Sequence, residues 1–318
     1  MRFRRTLPIS ALAAVTLCFA VATFAQDSTQ TTVTKAPPIG MSYLEAAVLG
    51  IVEGLTEFLP VSSTGHLILV QRLFGIGIGE DQEAADAYAI CIQAGAILAV
   101  LGIYFSFVCR MVRGLFGRDR EGLRLLTNLF IGFLPAAVVG LSLHVQIKEL
   151  LFGMRPVTFA WFVGGVAILA VTRWRKDRAD IPGSDMMDMR WYGALLIGLI
   201  QCLAVWPGTS RSLVTIVGGV LVGLDLRSAV IYSFLLGALT LGASTAYDVL
   251  NHGPLLLDTY GFSSMAVGFI TAFISAVVAV KWMVNYLKQH GLALFGYYRI
   301  VLAVIVGILI ATGLLPAD

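Results

Sequence analysis

The sequence predicts an all-α polytopic membrane protein, a fold class indicated by its composition, its apolar runs and the charge of its loops. Of its 318 residues, 58% are hydrophobic and 13% are charged, and the mean hydropathy is +0.86. Soluble globular proteins average roughly 45–50% apolar and about 25% charged residues, so an ordinary soluble domain is excluded. A formal net charge of only +3, without a basic stripe, argues against nucleic acid as a partner.

The amino end resembles a secretory signal peptide over residues 1–25, with a basic start, an apolar run and small residues before Gln26. An uncleaved anchor is the alternative, because this run approaches the roughly 17 residues that a membrane span needs. Residues 26–38 are polar and are expected to form a tether. The membrane domain is then predicted to occupy residues 39–318.

Apolar stretches follow one another along the rest of the chain, and lipid leaves the helix as their available conformation. Two pairs of them are short and are interrupted by Pro, Gly and hydroxyl residues, which is typical of re-entrant hairpins. The stretches lie at about 43–58, 62–76, 88–109, 125–145, 157–172, 191–206, 212–224, 228–248, 262–284 and 295–315.

The charges of the connections predict the topology, because Lys and Arg concentrate on the cytoplasmic side. The alternation closes only if the first short pair enters and leaves on the outer face and the second short pair on the inner face. We therefore expect six full transmembrane helices plus two re-entrant helical hairpins, with both termini outside. The connections expected outside are 73–87, 146–156 and 249–261. The basic residues expected inside are Arg110, Arg113, Arg118, Arg120 and Arg124, then Arg173, Arg175, Lys176, Arg178 and Arg190, and finally Lys281, Lys288 and Arg299.

The two halves of the domain look like inverted repeats, over residues 39–173 and 190–318. The segment Gly50-Ile51-Val52-Glu53 before the first break resembles Gly198-Leu199-Ile200-Gln201 before the second. A hairpin and three spans follow in each half, and an odd number of spans inverts the second copy. Such repeats place a ligand site near the bilayer midplane, where the discontinuous hairpins meet.

Glu53 and Glu57 lie four residues apart, on one face of an apolar helix. An ionised acid in a membrane segment is costly and usually marks function. Two such acids repel each other unless a positive charge lies between them, and Mg²⁺ or Ca²⁺ would supply it through oxygen ligands. A proton-sharing pair or a structural salt bridge is the alternative.

The first hairpin tip carries Ser62, Ser63, Thr64 and His66 after a proline. Hydroxyls followed by an imidazole offer a nucleophile and an acid or base, and helix-start amides can bind an anion. Taken alone, these residues would more often cap a helix or form a structural hydrogen bond. Their combination with two upstream acids favours the functional interpretation.

The second hairpin tip carries Arg211 among hydroxyl residues, with Ser210 and Ser212 beside it and Thr215 one turn further on. A guanidinium in this setting suits bidentate binding of phosphate oxygens. An ion pair from Arg211 to Glu53 or Glu57 is the alternative. Together the two tips suit phosphoryl chemistry on a lipid with a phosphate head, and the absence of a Walker sequence argues against nucleotide hydrolysis.

Two long motifs resemble the signatures of the undecaprenyl-diphosphate phosphatase family, also called the bacitracin resistance protein family. The resemblance covers about residues 40–315 and includes an Ile147-Lys148 segment and a segment at 268–273. The motifs are Glu53-Gly54-Leu55-Thr56-Glu57-Phe58-Leu59-Pro60-Val61-Ser62-Ser63-Thr64-Gly65-His66 and Gln201-Cys202-Leu203-Ala204-Val205-Trp206-Pro207-Gly208-Thr209-Ser210-Arg211-Ser212 with Thr215.

The resemblance implies a hydrolase of the bacterial cytoplasmic (inner) membrane that converts undecaprenyl diphosphate to undecaprenyl phosphate and inorganic phosphate. It would recycle the lipid carrier for peptidoglycan synthesis from a site open to the periplasmic side. The resemblance further implies dependence on a divalent cation and resistance to bacitracin, which competes for the same lipid. A homodimer is left open.

The resemblance also implies roles for the site residues. Glu53 and Glu57 would hold the metal or activate a nucleophile, and Arg211 would clamp the diphosphate. Ser63 is the first choice as nucleophile and His66 as acid or base, although His66 or water could attack instead. The residues expected to orient phosphate oxygens are Ser62, Thr64, Ser210, Ser212 and Thr215.

Two departures from the family pattern concern the longer amino extension and the linker Ser184-Asp185-Met186-Met187-Asp188, to whose acids no role is assigned. A transporter or lipid flippase is the main alternative function, since inverted repeats with paired hairpins occur in transporters. Inward movement of the product could accompany hydrolysis. A purely structural membrane protein would leave the intramembrane Glu, His and Arg unexplained.

Overall fold

A computed structural model describes residues 41–77, 82–151, 153–176 and 183–315. The predicted signal segment and tether lie outside the described residues. Within these ranges the chain is helical, and the β-structure is one isolated bridge between Ser184 and Leu224. The helices are α1 (Tyr43–Thr56), α2 (Ser63–Phe74), α3 (Gln82–Ile103), α4 (Phe105–Leu115), α5 (Arg120–Leu151), α6 (Met154–Lys176), α7 (Trp191–Gln201), α8 (Arg211–Leu221), α9 (Leu226–His290) and α10 (Ala293–Ala311).

Five helices in the described part of the chain are long and apolar enough to cross a membrane. They confirm the predicted class of an all-helical, multi-pass membrane protein. One of them, within α9, is 62 residues long, whereas a single crossing takes about 20 residues. This helix is interrupted at Gly261, whose φ of 70° leaves the helical region. The five segments are Gln82–Ile103, Arg120–Leu143, Met154–Trp174, Leu226–Leu287 and Ala293–Ala311.

Five of the described helices are too short to cross a bilayer alone; one is α4, and the other four form two consecutive pairs. Helices α1 and α2 have 14 and 12 residues, and α7 and α8 have 11 each. A capping box starts α1, in which Ser42 accepts from the Glu45 amide and the Glu45 carboxylate accepts from the Ser42 amide. The tips of the two pairs contain the motifs predicted to carry chemistry.

Small residues let each short pair pack closely against the opposite half of the chain. Helix α1 crosses the second part of α9, where a Cβ added at Gly50 would lie 2.2 Å from the Gly268 carbonyl oxygen. Helix α7 crosses α5 in a similar way, and a Cβ at Gly198 would lie 2.5 Å from the Gly132 carbonyl oxygen. The remaining long helices pair as α3 with α9 and α6 with α10.

The structure corrects several predicted boundaries. The connection expected at 73–87 already contains the start of α3, where Glu83 suits the positive end of the helix dipole. Helical structure also continues into the connections expected at 146–156 and 249–261. The stretch expected at 88–109 ends at Ile103, and α4 follows as a separate helix. An apolar run marks the part of a helix that lipid covers. The backbone hydrogen bonds of the helix continue beyond that part, so the helix is longer than the run.

Candidate active site

The first tip joins α1 to α2 and places its polar residues around Glu57. Glu57 ends α1, and its amide donates to the Glu53 carbonyl at 2.9 Å. The hydroxyl of Ser63, the first residue of α2, donates a very short hydrogen bond to Glu57 Oε2. Ser62 precedes α2 with φ at 73°, a left-handed conformation that is uncommon outside glycine. Such strain is typically retained at functional sites.

The second tip has the same backbone geometry, a serine with positive φ before a helix, but different side chains around it. Ser210 precedes α8 with φ at 75°, and its hydroxyl lies 3.0 Å from that of Ser212. Ser212 Oγ donates to the Leu59 carbonyl at 2.8 Å, so the second tip is attached directly to the first. Thr215 Oγ1 lies 2.6 Å from Ser233 Oγ on α9. The Ser212 hydroxyl therefore links the two tips, and the Thr215 hydroxyl joins α8 to α9.

Arg211 completes the junction between the tips. Its Nη2 donates to Glu57 Oε1 at 2.8 Å, and both side chains are almost fully buried. The guanidinium also lies over the Phe58 ring, 5.8 Å from the ring centroid. Glu57 consequently binds Ser63 through one oxygen and Arg211 through the other. This chain of contacts includes the ion pair that the sequence left as an alternative.

A cavity of about 210 Å³ lies between the tips. Six of the ten predicted site residues line this cavity. They include the three hydrogen-bonded residues Ser63, Glu57 and Arg211. The six are Glu57, Ser62, Ser63, Thr64, Ser210 and Arg211, and further polar lining comes from Gln93, Gln201 and Thr240. The predicted residues outside this lining are Glu53, His66, Ser212 and Thr215.

Glu53 is completely buried one turn before Glu57. Neither of its carboxylate oxygens has a hydrogen-bond partner among the described residues. Those residues also contain no group of three or more His, Cys, Asp and Glu side chains arranged to hold a metal. Mg²⁺ usually binds one or two carboxylates and completes its coordination with water and substrate phosphates. Two adjacent acids, one of them lacking a partner, fit that donor set.

His66 is committed to structural contacts on both sides of its ring. Its Nδ1 lies 2.6 Å from the Ser62 carbonyl oxygen, and its Nε2 lies 2.7 Å from the Tyr298 hydroxyl. The ring also stacks on Tyr298 and packs against Trp161. These contacts favour the structural alternative for His66, which fixes the start of α2 beside Ser63.

The structure places Arg299 in the interior, so its assignment to a basic inside loop was wrong. The side chain is fully buried on α10. It donates to the carbonyls of Pro60 at 3.4 Å and Gly208 at 2.8 Å, one from each tip. It also donates to two carbonyls of α6, those of Ala160 and Trp161. Counting loop charges missed this residue, although a cation inside an apolar run is itself a signal of function.

Gln201 is a second site residue to which the sequence assigned no role. It precedes Ser210 by the same interval that separates Glu53 from Ser62. Its side chain is almost fully buried and lines the cavity, with Nε2 3.4 Å from the Gly132 carbonyl and Oε1 lacking a partner in the described part of the chain. The repeat match with Glu53 was the signal that could have identified it.

Comparison with known proteins gives one consistent family. The family described as bacitracin resistance protein BacA matches residues 46–305. An undecaprenyl-diphosphatase of Sorangium cellulosum is 46% identical over 84% of this chain and 86% of its own length. Undecaprenyl-diphosphatase 2 of Rhodospirillum rubrum is 44% identical over 83% and 93%, and an undecaprenyl-diphosphatase of Nitrosomonas europaea is 43% identical over 85% and 96%. With both signature tips in contact across one cavity, the chain belongs to the bacitracin resistance protein BacA family.

Proposed function

We propose that this chain hydrolyses undecaprenyl diphosphate to undecaprenyl phosphate and inorganic phosphate. The hydrogen-bonded chain of Ser63, Glu57 and Arg211 in one cavity is the observation that carries the proposal. It combines a nucleophile, a base and a phosphate-binding cation, a set that suits phosphoryl transfer. The substrate is inferred from the relatives, which are named undecaprenyl-diphosphatases.

Ser63 is the proposed nucleophile and Glu57 its base. Ser63 Oγ attacks the terminal phosphorus, and its proton passes to Glu57. The bond from that phosphorus to the bridging oxygen breaks, so undecaprenyl phosphate leaves. Water then hydrolyses the phosphoserine and releases inorganic phosphate. The contact between Ser63 and Glu57 supports these two roles, and the occupied ring nitrogens of His66 make His66 the weaker candidate for nucleophile.

Arg211 is the proposed clamp for the diphosphate. In the present arrangement its Nη2 binds Glu57, and a diphosphate would provide a second anionic partner for the same guanidinium. The hydroxyls of Ser62, Thr64 and Ser210 line the cavity and would donate to phosphate oxygens. Ser212 and Thr215 would act indirectly, by holding in place the second tip, which carries Arg211.

A divalent cation, Mg²⁺ or Ca²⁺, is proposed to bind at Glu53 with Glu57. The partnerless carboxylate of Glu53 supports this assignment. When bound, the ion would neutralise the charge of the diphosphate and of the leaving group. Chelation is therefore expected to abolish turnover and added Mg²⁺ or Ca²⁺ to restore it.

The two short helix pairs are proposed to be re-entrant hairpins within an inverted repeat of six full spans. Their lengths, the matching left-handed serines and the reciprocal packing of α1 on α9 and α7 on α5 support this arrangement. The site would then open toward the periplasmic side of the inner membrane. Bacitracin, which binds the same lipid diphosphate, would be countered by faster removal of that lipid.

Phosphate release by the purified chain tests this function. Wild type in detergent, supplied with undecaprenyl or farnesyl diphosphate and Mg²⁺, is expected to release phosphate. Glu57→Gln should lower kcat by about 10²–10⁴, as the loss of a general base does. Asp258→Asn, at an exposed acid on α9, is the matched control and should leave the rate unchanged. Absence of release by folded, metal-supplied wild type would overturn the proposal.

A further inference from the structure

A second cavity, of about 690 Å³, lies at the first turns of α5 and α7 and shares no residue with the cavity between the tips. The sequence predicted two separate basic loops on the same side of the membrane. The structure brings them together, since Arg120 and Arg124 from one loop and Arg190 from the other line the same cavity. Its other lining residues are Leu123, Thr127, Asn128, Asp188, Met189, Trp191 and Tyr192.

The cavity carries an excess of positive charge, because three guanidiniums face a single carboxylate. Arg124 is already engaged, donating to the Met187 carbonyl and lying 3.7 Å from Asp188. Arg120 and Arg190 have no carboxylate within ion-pair distance among the described residues. A concave surface with two uncompensated cations concentrates anions.

Hydrogen bonds fix the turn that precedes α5 and one wall of this cavity. Arg110 on α4 binds Asp119 at 2.9 Å, and the Gly122 amide donates to Asp119 at 2.8 Å. The Arg110 guanidinium holds the pKa of the Asp119 carboxyl below its ordinary value. Asn128 donates to the Met189 carbonyl at 2.9 Å and joins α5 to the segment before α7.

Aromatic and aliphatic side chains lie directly beside the arginines. Trp191 is 61% exposed and Tyr192 49% exposed, although both begin an apolar helix. The adjoining helix α4 likewise leaves Phe105 and Leu115 exposed. Exposed aromatic residues at the end of a membrane helix are typical of the lipid headgroup level. An occupant of this cavity would therefore meet cations at one end and an apolar surface at the other.

We propose that this cavity binds the headgroup of an anionic phospholipid. The guanidiniums of Arg120 and Arg190 contact the phosphate, and the acyl chains follow the surface beside Trp191. Basic pockets between membrane helices on the cytoplasmic side bind such headgroups, and a guanidinium matches phosphate oxygens in geometry as well as charge. This site is independent of the proposed hydrolysis, because none of its residues lines the cavity between the tips.

Lipid binding to the full-length protein, measured by native mass spectrometry in detergent, tests the proposal. The probes are phosphatidylglycerol, phosphatidylcholine and inorganic phosphate. Phosphatidylglycerol should bind more tightly than phosphatidylcholine. The double variant Arg120→Gln with Arg190→Gln should raise the apparent Kd for phosphatidylglycerol roughly tenfold or more, because it removes both uncompensated guanidiniums from the cavity.

The matched control is Arg113→Gln with Arg118→Gln, which removes the same charge at exposed positions outside the cavity and should leave that Kd unchanged. Both double variants should retain phosphate release, which verifies folding. Equal weakening in the two double variants would overturn the proposal by showing nonspecific attraction. Displacement of the lipid by millimolar inorganic phosphate would overturn it in favour of a free-anion site.

Discussion

At the residue scale, the contacts of Glu57 are the most informative feature of the molecule. One carboxylate oxygen binds a hydroxyl from its own tip and the other binds a guanidinium from the opposite tip. A buried acid held in this way is fixed in position and cannot turn away from the cavity. In the proposed mechanism this geometry lets Glu57 accept a proton from Ser63 while Arg211 compensates its charge.

Arg299 is expected to act as a positioning residue. Replacing it by Met would leave the carbonyls of Pro60, Gly208 and α6 without their donor, and each such group costs about 1–3 kcal/mol. Arg299→Met should therefore lower the melting temperature and kcat together, and Arg299→Lys should restore part of both. Thermal unfolding in detergent and phosphate release provide the two readouts. A variant with full kcat would show that the two tips need no such support.

Some residues of the site could be predicted from the sequence and others could not. Glu53, Glu57 and Arg211 were identifiable as candidates because ionisable groups are costly within apolar runs, and Ser63 because it follows the two acids at a proline break. The left-handed conformation of Ser62 was not, because side-chain chemistry does not specify φ. The burial of Arg299 was missed because it was counted as a loop charge, and its acceptors are backbone carbonyls, which the sequence does not identify.

At the element scale, the crossing of α1 and α9 depends on the absence of a side chain at Gly50. An added Cβ would lie 2.1 Å from Thr271 Oγ1 and 2.2 Å from the Gly268 carbonyl oxygen. Gly50→Ala should therefore destabilise the protein by about 1–3 kcal/mol, the range typical of overpacking. The measurement is thermal or denaturant-induced unfolding in detergent.

Gly140 on α5 provides the matched control for this substitution. An added Cβ there would meet no other atom within 4 Å. Gly140→Ala should thus be neutral or stabilise the helix by about 0.5–1 kcal/mol, because alanine loses less backbone entropy than glycine. Equal effects of the two substitutions would contradict the close crossing.

The sequence predicted the order of the helices but not where they end or how they pair between the halves. The order of the helices and the position of both breaks followed from hydropathy, since each short pair is interrupted by Pro, Gly and hydroxyl residues. The ends of the helices did not follow from hydropathy, because α3 starts earlier than expected and α9 continues further than expected. Pairing between halves was also not predictable, because a glycine in an apolar run does not identify the helix that it approaches.

At the scale of the whole molecule, topology determines which side of the membrane supplies the substrate. Two positions for single introduced cysteines are Gln82, the first residue of α3, and Arg118, between α4 and α5. In the proposed arrangement they lie on opposite sides of the membrane. With the native cysteines replaced, an impermeant thiol reagent should label Gln82→Cys in intact spheroplasts. Arg118→Cys should be labelled only after permeabilisation. Labelling of both sites in intact spheroplasts would contradict the placement of these two connections on opposite sides of the membrane.

The two tips are proposed to form one catalytic centre through Glu57 and Arg211. A double-mutant cycle under single-turnover conditions, with Glu57→Gln, Arg211→Gln and the two combined, measures whether these residues act together. Residues that act as a unit show strongly non-additive losses. The rate of phosphate release by the double variant should therefore be about that of the slower single variant. A double variant whose loss equals the product of the two single losses would show that the tips act independently.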